Sequence, residues 1–102
     1  MVSMTRLSDQ AINAALAELP GWSRSGDAIE ATYERATFPD AVAFVTRVAF
    51  LAEAANHHPD LDIRWRKVRV VLSTHDEGGI TDKDLDLARS IEAVAAEAQG
   101  PQ

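Results

Sequence analysis

Apolar residues recur along the chain with two periods, and each change of period marks a predicted element. The first pattern has helical spacing behind Ser8, a good N-cap, and Pro20-Gly21 ends it after about three turns. Its apolar positions are Ile12, Ala15, Leu16 and Leu19. We expect a first helix here.

Two stretches with a period of 2, typical of half-buried strands, predict β-hairpins. In the first, Trp22-Ser23-Arg24 meets a longer strand across the turn Ser25-Gly26-Asp27. That longer strand alternates through Ile29, Ala31 and Tyr33. In the second, Arg66-Lys67 is the predicted turn. The flanking apolar rows are Leu61, Ile63 and Trp65, then Val68, Val70 and Leu72.

Two longer helical patterns follow the hairpins. The central helix starts at Pro39 and Asp40, which suit a first turn, and ends near Asn56, because Pro59 forces His58 into extended backbone. Its predicted apolar face is Val42, Val45, Val48, Ala49 and Ala52, with Phe44 and Leu51 beside it. Thr81 and Asp84 resemble a capping box, and a third helix runs from there to about Ala98, before Gly100-Pro101.

The predicted order is α-β-β-α-β-β-α. Two hairpins and three helices in about 100 residues indicate an α+β fold, a four-stranded antiparallel sheet with three helices on one face. At 102 residues the chain is expected to form a single domain, 1–102.

Charge and composition narrow the function classes. With 10 Lys+Arg and 16 Asp+Glu the net charge is -6, so we expect no nucleic-acid partner. A local basic cluster, Arg64, Arg66, Lys67 and Arg69, is interpreted first as a solvated strand face and alternatively as a site for an anion. No stretch has the length of a membrane span or a signal sequence, so we expect a cytoplasmic protein without a membrane partner.

The three histidines carry the candidate chemistry. Glu53 and His57 are four residues apart, so a helical path would stack them and let the carboxylate orient the ring. His58 follows in the extended segment set by Pro59, and His75 stands at the end of a strand, on the side opposite the apolar row. The alternative is structural: histidines are common near helix C-termini.

Other classes of site fit less well. The chain has no cysteine, which excludes thiolate chemistry and cysteine-bound zinc. Adjacent histidines lack the His-x-x-x-His spacing of a helical metal site, and no Gly-x-Ser-x-Gly elbow is present. We therefore expect no metal and no serine triad.

The combined spacing of these residues resembles the pterin-4a-carbinolamine dehydratases. Glu-x-x-x-His-His-Pro is followed by an aromatic, by Ser-Thr-His and by an aspartate. The matching residues are Glu53, His57, His58, Pro59, Trp65, Ser73, Thr74, His75 and Asp84. The helix that ends in Gly21-Trp22 and the segment "FVTRVAFLAE" extend the resemblance over nearly the whole chain.

The resemblance implies an enzyme that removes water from 4a-hydroxytetrahydropterin, giving quinonoid dihydropterin in the recycling of the pterin cofactor. It implies no cofactor, an aromatic amino acid hydroxylase as pathway partner, and a homodimer or homotetramer. His57 and His75 would be the acid–base pair, and imidazoles with an ordinary pKa of about 6.5 suit that work. His58 would hold the pterin, and Glu53 and Asp84 would orient the histidines or bind the pterin edge. The resemblance also assigns a substrate-binding or orienting role to Pro59, Trp65, Ser73 and Thr74.

Three positions depart from the common pattern of the dehydratases. Trp65 occupies a position where Tyr is common, Leu61 one where Trp is common, and Arg66 one where Asn is common. We interpret Trp65 first as a core aromatic in line with Leu61 and Ile63, and second as a residue against the pterin. The competing function is a non-catalytic assembly module that binds a protein partner.

Overall fold

The computed structural model describes residues 5–99, and its elements follow the predicted order. The strands are β1 (Ser23–Ser25), β2 (Ala28–Glu34), β3 (Asp60–Arg64) and β4 (Lys67–Leu72). The helices are α1 (Asp9–Leu16), α2 (Phe38–Ala55) and α3 (Asp82–Gln99), with one turn of 3₁₀ helix at His75–Glu77. The predicted end of the last helix, Gly100-Pro101, lies outside the described residues.

All three strand pairings are antiparallel, in the order β1-β2-β4-β3. Register places Val70 of β4 opposite Ala31 and Leu61, and Val68 opposite Tyr33 and Ile63. Because side chains alternate along a strand, these residues share one face. The buried strand residues of that face join buried residues of all three helices in one core. The α+β prediction is confirmed, and none of the helices in residues 5–99 is long and apolar enough to cross a bilayer.

The first helix is shorter than predicted. Ser8 caps it by accepting the Ala11 N–H, but the helix ends at Leu16. Beyond that point the chain tightens into i→i−3 bonds, including Leu19 N–H to Leu16 O at 3.0 Å. This tighter path still buries Leu19 and Trp22 in the core.

The predicted second turn is off by one residue, and the favoured interpretation of Trp65 is wrong. β3 ends at Arg64 and β4 begins at Lys67, so Trp65 and Arg66 form the two-residue turn. Trp65 has a φ of 56°, a left-handed conformation that takes its ring out of the Leu61 and Ile63 row. Trp65 is 70% exposed, and the Arg66 guanidinium carbon lies 4.4 Å from the centroid of its ring.

The apolar face of α2 is rotated relative to the prediction. Its buried residues are Ala41, Phe44, Val48 and Ala52. Val42 and Ala49, which were predicted to be buried, are exposed. Together with Phe38 and Phe50 they form a second apolar surface, here called the α2 stripe. A helix that is apolar on two sides does not reveal from its period which side meets the sheet.

The basic cluster lies mostly on the open side of the sheet and is largely neutralised there. Arg69 bonds Glu30 at 2.8 Å, Arg66 bonds Glu34 at 3.2 Å and Arg64 bonds Asp62 at 3.3 Å. The Arg69 guanidinium holds the pKa of Glu30 below its ordinary value. Three of the four cations are thus paired with carboxylates, as expected for a solvated strand face.

Tyr33 links the sheet to α3 and provides a test of the packing. Its hydroxyl donates to Glu92 Oε1 at 2.6 Å and accepts from Trp22 Nε1 at 2.9 Å. Burial, aided by Glu92, raises the pKa of Tyr33 above its ordinary value. A raised folded pKa gives stability that is present below the unfolded pKa of about 10 and lost as the pH rises above it.

We therefore expect the free energy of unfolding to fall above about pH 10, by at most about 1.4 kcal/mol per pH unit from this group. Urea titrations across that range measure it, and Tyr33→Phe should lack this part of the decline. Because Tyr33 is the only tyrosine, tyrosinate absorbance reports it alone. Tyrosinate formation in the folded chain with a midpoint of about 10 would contradict the prediction.

Candidate active site

The end of α2 determines where two of the histidines point. Asn56 terminates the helix in a left-handed conformation, φ 50° and ψ 44°. Its N–H bonds Glu53 O at 3.2 Å, and the His57 N–H bonds Ala52 O at 3.0 Å. This is the Schellman pattern, in which the chain reverses direction after the last turn. His57 therefore turns back into the protein while His58 stays outside.

His57 is hydrogen-bonded to a buried carboxylate from α3. Its Nε2 lies 2.5 Å from Asp84 Oδ1, and Asp84 is fully buried. Asp84 Oδ2 accepts the Thr74 hydroxyl at 2.8 Å and the Thr81 N–H at 2.9 Å. A carboxylate that accepts from several donors is held in one orientation. With Nε2 donating to Asp84, Nδ1 is the ring nitrogen left to meet a ligand.

The same aspartate caps the first turn of α3. Thr81 Oγ1 accepts the Lys83 N–H at 3.3 Å, while the Asp84 side chain reaches back to the Thr81 N–H. The Asp84 bond is one half of a capping box, and Thr81 Oγ1 accepts the N–H one residue before the position that a full capping box uses, so the predicted capping box is present in a modified form. The start of the helix therefore places Asp84 beneath His57.

His75 is presented by a short clamped loop. Thr74 and Gly79 bridge across it, with Thr74 N–H to Gly79 O at 2.9 Å, and the 3₁₀ turn lies between them. Gly78 closes the turn at φ 69°, where a Cβ would be strained. The clamp holds His75 at the surface beside the end of β4.

These elements surround one open pocket of about 350 Å³. Its lining residues are Asn56, His57, His58, Ser73, Thr74, His75, Asp76 and Lys83. The three histidines that the sequence predicted as a group, from two distant segments, thus share one pocket. Ser73 also lines it, with its hydroxyl donating to Asp27 O at 2.9 Å.

Comparison with known proteins identifies the family of the chain. The family model described as pterin 4 alpha carbinolamine dehydratase matches residues 5–94. The chain belongs to the pterin-4a-carbinolamine dehydratase family. A relative from Roseiflexus sp. strain RS-1 that carries the dehydratase name is 58% identical over 90 residues, 88% of this chain and 97% of its own. One from Nocardia farcinica is 56% identical over 89 residues, 87% and 94% of the two chains.

Solved structures agree with this assignment to the dehydratase family. A crystal structure of a transcriptional coactivator/pterin dehydratase from Brucella melitensis has a TM-score of 0.86 at 34% identity, covering 89% of this chain and 99% of that one. A pterin dehydratase-like protein identified as a RuBisCO assembly factor in the alpha-carboxysome has a TM-score of 0.60 at 17% identity, covering 72% and 86%. At that identity the second likeness shows the fold alone.

One predicted contact of the dehydratase motif is wrong. Glu53 does not orient His57; its Oε1 bonds His58 Nε2 at 2.9 Å, with both side chains exposed. The i,i+4 geometry requires helix throughout, and α2 ends before His57. The carboxylate that orients His57 is Asp84, 27 residues away.

Two other residues of the dehydratase motif lie away from the pocket lining. Trp65 is at the hairpin tip, so the structure does not bring it to the histidines. Pro59 is half-buried and precedes β3, and its orienting role remains a prediction. Sequence reasoning missed Asn56, Asp76 and Lys83 as lining residues. Each is adjacent to a motif residue, and that adjacency was the available signal.

Metal binding has no support in the described geometry. Among residues 5–99, no group of three or more His, Asp or Glu side chains is arranged to hold a metal ion. A second recess, of about 410 Å³, lies where α1 begins and is lined by Arg6, Asp9, Arg24 and others. Arg24 is already paired there with Asp9 at 2.7 Å.

Proposed function

We propose that this chain dehydrates 4a-hydroxytetrahydropterins to quinonoid dihydropterins by histidine general acid–base catalysis in the three-histidine pocket. One observation carries the proposal: in this member of the dehydratase family, His57 lines the pocket and is hydrogen-bonded to a buried carboxylate. His58 and His75 line the same pocket, so groups that give and take protons surround one ligand site.

His57 is assigned the role of general base, which accepts the proton of the pterin ring N–H. With Nε2 donating to Asp84, the lone pair of Nδ1 is free to accept that proton. The imidazolium that forms is stabilised by the buried Asp84 carboxylate, as in histidine–aspartate pairs of other enzymes.

His75 is assigned the role of general acid, which protonates the leaving hydroxyl. As the C4a–O bond breaks, His75 in its protonated form gives that oxygen a proton, and water leaves. The ring nitrogen supplies the electron pair for the new double bond, and its proton goes to His57. One proton is donated and one accepted, so a proton returned to His75 from solvent and one released by His57 complete the cycle. The open pocket and exposed His75 allow this exchange.

His58 is proposed to hold the pterin, with Glu53 keeping the ring in place from outside. Both side chains are exposed, so their pairing contributes little to stability. Ser73 and Thr74 shape the pocket floor, because their hydroxyls are committed to Asp27 O and to Asp84. Substrate binding is therefore assigned to His58, and proton transfer to His57 and His75.

The proposal is tested by following the decay of a freshly generated 4a-carbinolamine by stopped-flow absorbance, with and without purified protein. We expect the decay to accelerate in proportion to enzyme concentration. A folded His57→Gln variant is the control for adventitious catalysis. A wild-type protein with a native circular dichroism spectrum and the buffer rate would refute the proposal.

The cellular setting follows from the substrate. An aromatic amino acid hydroxylase forms 4a-carbinolamines, so we propose one as the pathway partner, with pterin recycling in the cytoplasm as the role. A hydroxylase assay coupled to this chain tests it. The quinonoid product should form faster with the chain present, and no change in its rate of appearance would count against the partnership.

We also propose that the chain is a homo-oligomer, a dimer or a tetramer, that buries the α2 stripe. Phe50 is 74% exposed and Phe38 51%, on a helix face that nothing in residues 5–99 covers. Exposed apolar patches mark interaction sites.

Phe50→Glu is therefore expected to lower the mass measured by light scattering, because it places a charge in the apolar contact. Trp65→Glu is the matched control: it removes an equally exposed aromatic from the hairpin tip and should leave the mass unchanged. An unchanged mass for Phe50→Glu would remove the α2 stripe as the interface.

A further inference from the structure

Thr81 is fully buried and lies outside the pocket lining, yet it is bonded to the groups that support His57. Its N–H donates to Asp84 Oδ2 at 2.9 Å. Its Oγ1 lies 2.7 Å from Thr74 Oγ1, and Thr74 in turn donates to Asp84 Oδ2 at 2.8 Å. Thr81 therefore reaches the carboxylate by a direct and an indirect route.

Counting protons gives this network a direction. An ionised carboxylate only accepts, so the single hydroxyl proton of Thr74 goes to Asp84. The 2.7 Å bond between the two threonines must then use the Thr81 proton, with Thr74 accepting. Thr81 Oγ1 itself accepts the Lys83 N–H at 3.3 Å. The chain of donors thus runs from Lys83 through Thr81 and Thr74 to Asp84.

We propose that Thr81 is a positioning residue for the dehydration, a role that rests on the proposed function. The donor chain that it completes keeps the Asp84 carboxylate aimed at His57. His57 then carries its proton on Nε2 and presents Nδ1 to the pocket. The capping box of α3 serves two purposes: it begins the helix and it orients the base. Thr81 acts only through Asp84 and touches no part of the pocket.

The test uses three variants and the dehydration assay. Thr81→Val keeps the shape and the N–H but removes the hydroxyl, and we expect kcat to fall about tenfold with KM changed by less than about twofold. Thr81→Ser keeps the hydroxyl and should restore kcat to within about twofold. Thr37→Val is the matched control, because Thr37 caps α2 through the Asp40 N–H at 3.1 Å, at the end of the helix remote from His57.

A merely structural role predicts a different outcome. Both valine variants lose an N-cap and should lose stability to a similar degree. If Thr81→Val and Thr37→Val have the same kcat, Thr81 is a helix cap only and the proposal fails. A lower kcat for Thr81→Val alone, with recovery in Thr81→Ser, supports it.

A second readout does not depend on activity. The His57 Nε2 proton, identified by its loss in His57→Gln, should give a slowly exchanging downfield resonance in wild type, Thr81→Ser and Thr37→Val. It should exchange faster in Thr81→Val, or in Thr74→Val if Thr81→Val does not fold. An unchanged resonance in these variants would overturn the proposal even if the chain dehydrates pterins. A buffer-like wild-type rate would refute the proposed function while this spectroscopic test still decides the role of Thr81.

Discussion

His57→Gln is expected to lower kcat for carbinolamine dehydration by about 10³-fold, the usual contribution of a positioned general base. Glutamine is the informative substitution because its amide nitrogen can occupy the place of Nε2 and donate to Asp84. Alanine would leave a fully buried carboxylate short of a partner and confound catalysis with stability. The measurement is single-turnover absorbance with enzyme in excess.

The controls for this prediction come from the same pocket. His58→Gln should raise KM more than it lowers kcat, because the exposed His58 is assigned to binding. Thermal melts should show His57→Gln folded at the assay temperature. A kcat within about threefold of wild type for the folded variant would rule out His57 as the base.

Asp84→Asn is expected to lower kcat by about 10³-fold or more, although it touches no substrate. The amide oxygen can still accept from Thr74 and Thr81 in the place of Oδ2, which directs the NH₂ group at His57. Two donors cannot face each other, so His57 must move its proton to Nδ1. The lone pair is then turned away from the pterin, a wrong-tautomer effect known from serine proteases.

Asp76→Asn is the matched control for this change. Asp76 lines the same pocket and is exposed, but its carboxylate has no bond to His57 in the described structure. We expect Asp76→Asn to change kcat by less than about threefold. Nitrogen shifts of the His57 ring should report the Nε2–H tautomer in wild type and Nδ1–H in Asp84→Asn. Equal rates for the two asparagine variants would contradict the prediction.

Periodicity was sufficient to predict the order of the elements, because successive side chains of a half-buried strand point alternately to the core and to solvent. The rows Val68, Val70, Leu72 and Ile29, Ala31, Tyr33 follow that rule and meet in one core. It failed where local patterns are ambiguous. Trp65 continues an alternating row but adopts a left-handed turn, and α2 carries apolar residues on two sides.

The site was predictable as a set of residues and unpredictable as a set of contacts. The resemblance to the dehydratases grouped His57, His58, His75 and Asp84, but the helical spacing favoured Glu53 as the partner of His57. The left-handed conformation of Asn56 ends the helix before His57, so that Glu53 bonds His58 and His57 bonds Asp84. A helical pattern in the sequence does not show that the chain turns there. Bonds between segments far apart in sequence depend on tertiary structure.

Arg35 illustrates the same limit in the core. The sequence gives no reason to bury it, yet it is 2% exposed, with its guanidinium 4.8 Å from the Phe44 ring centroid. It bonds Asp40 Oδ2 and Ala95 O, each at 3.2 Å. A guanidinium can be buried when an aromatic face, a carboxylate and a helix carbonyl converge, and that convergence is tertiary.

The most direct test of His57 and Asp84 as one catalytic unit is a double-mutant cycle on the dehydration rate. It compares His57→Gln, Asp84→Asn and the variant with both changes, each verified as folded. Because Asp84 acts only through His57, the double variant should be no slower than His57→Gln alone, within about threefold. Losses that multiply, so that the double variant is slower by the product of the two single effects, would show that the residues act independently.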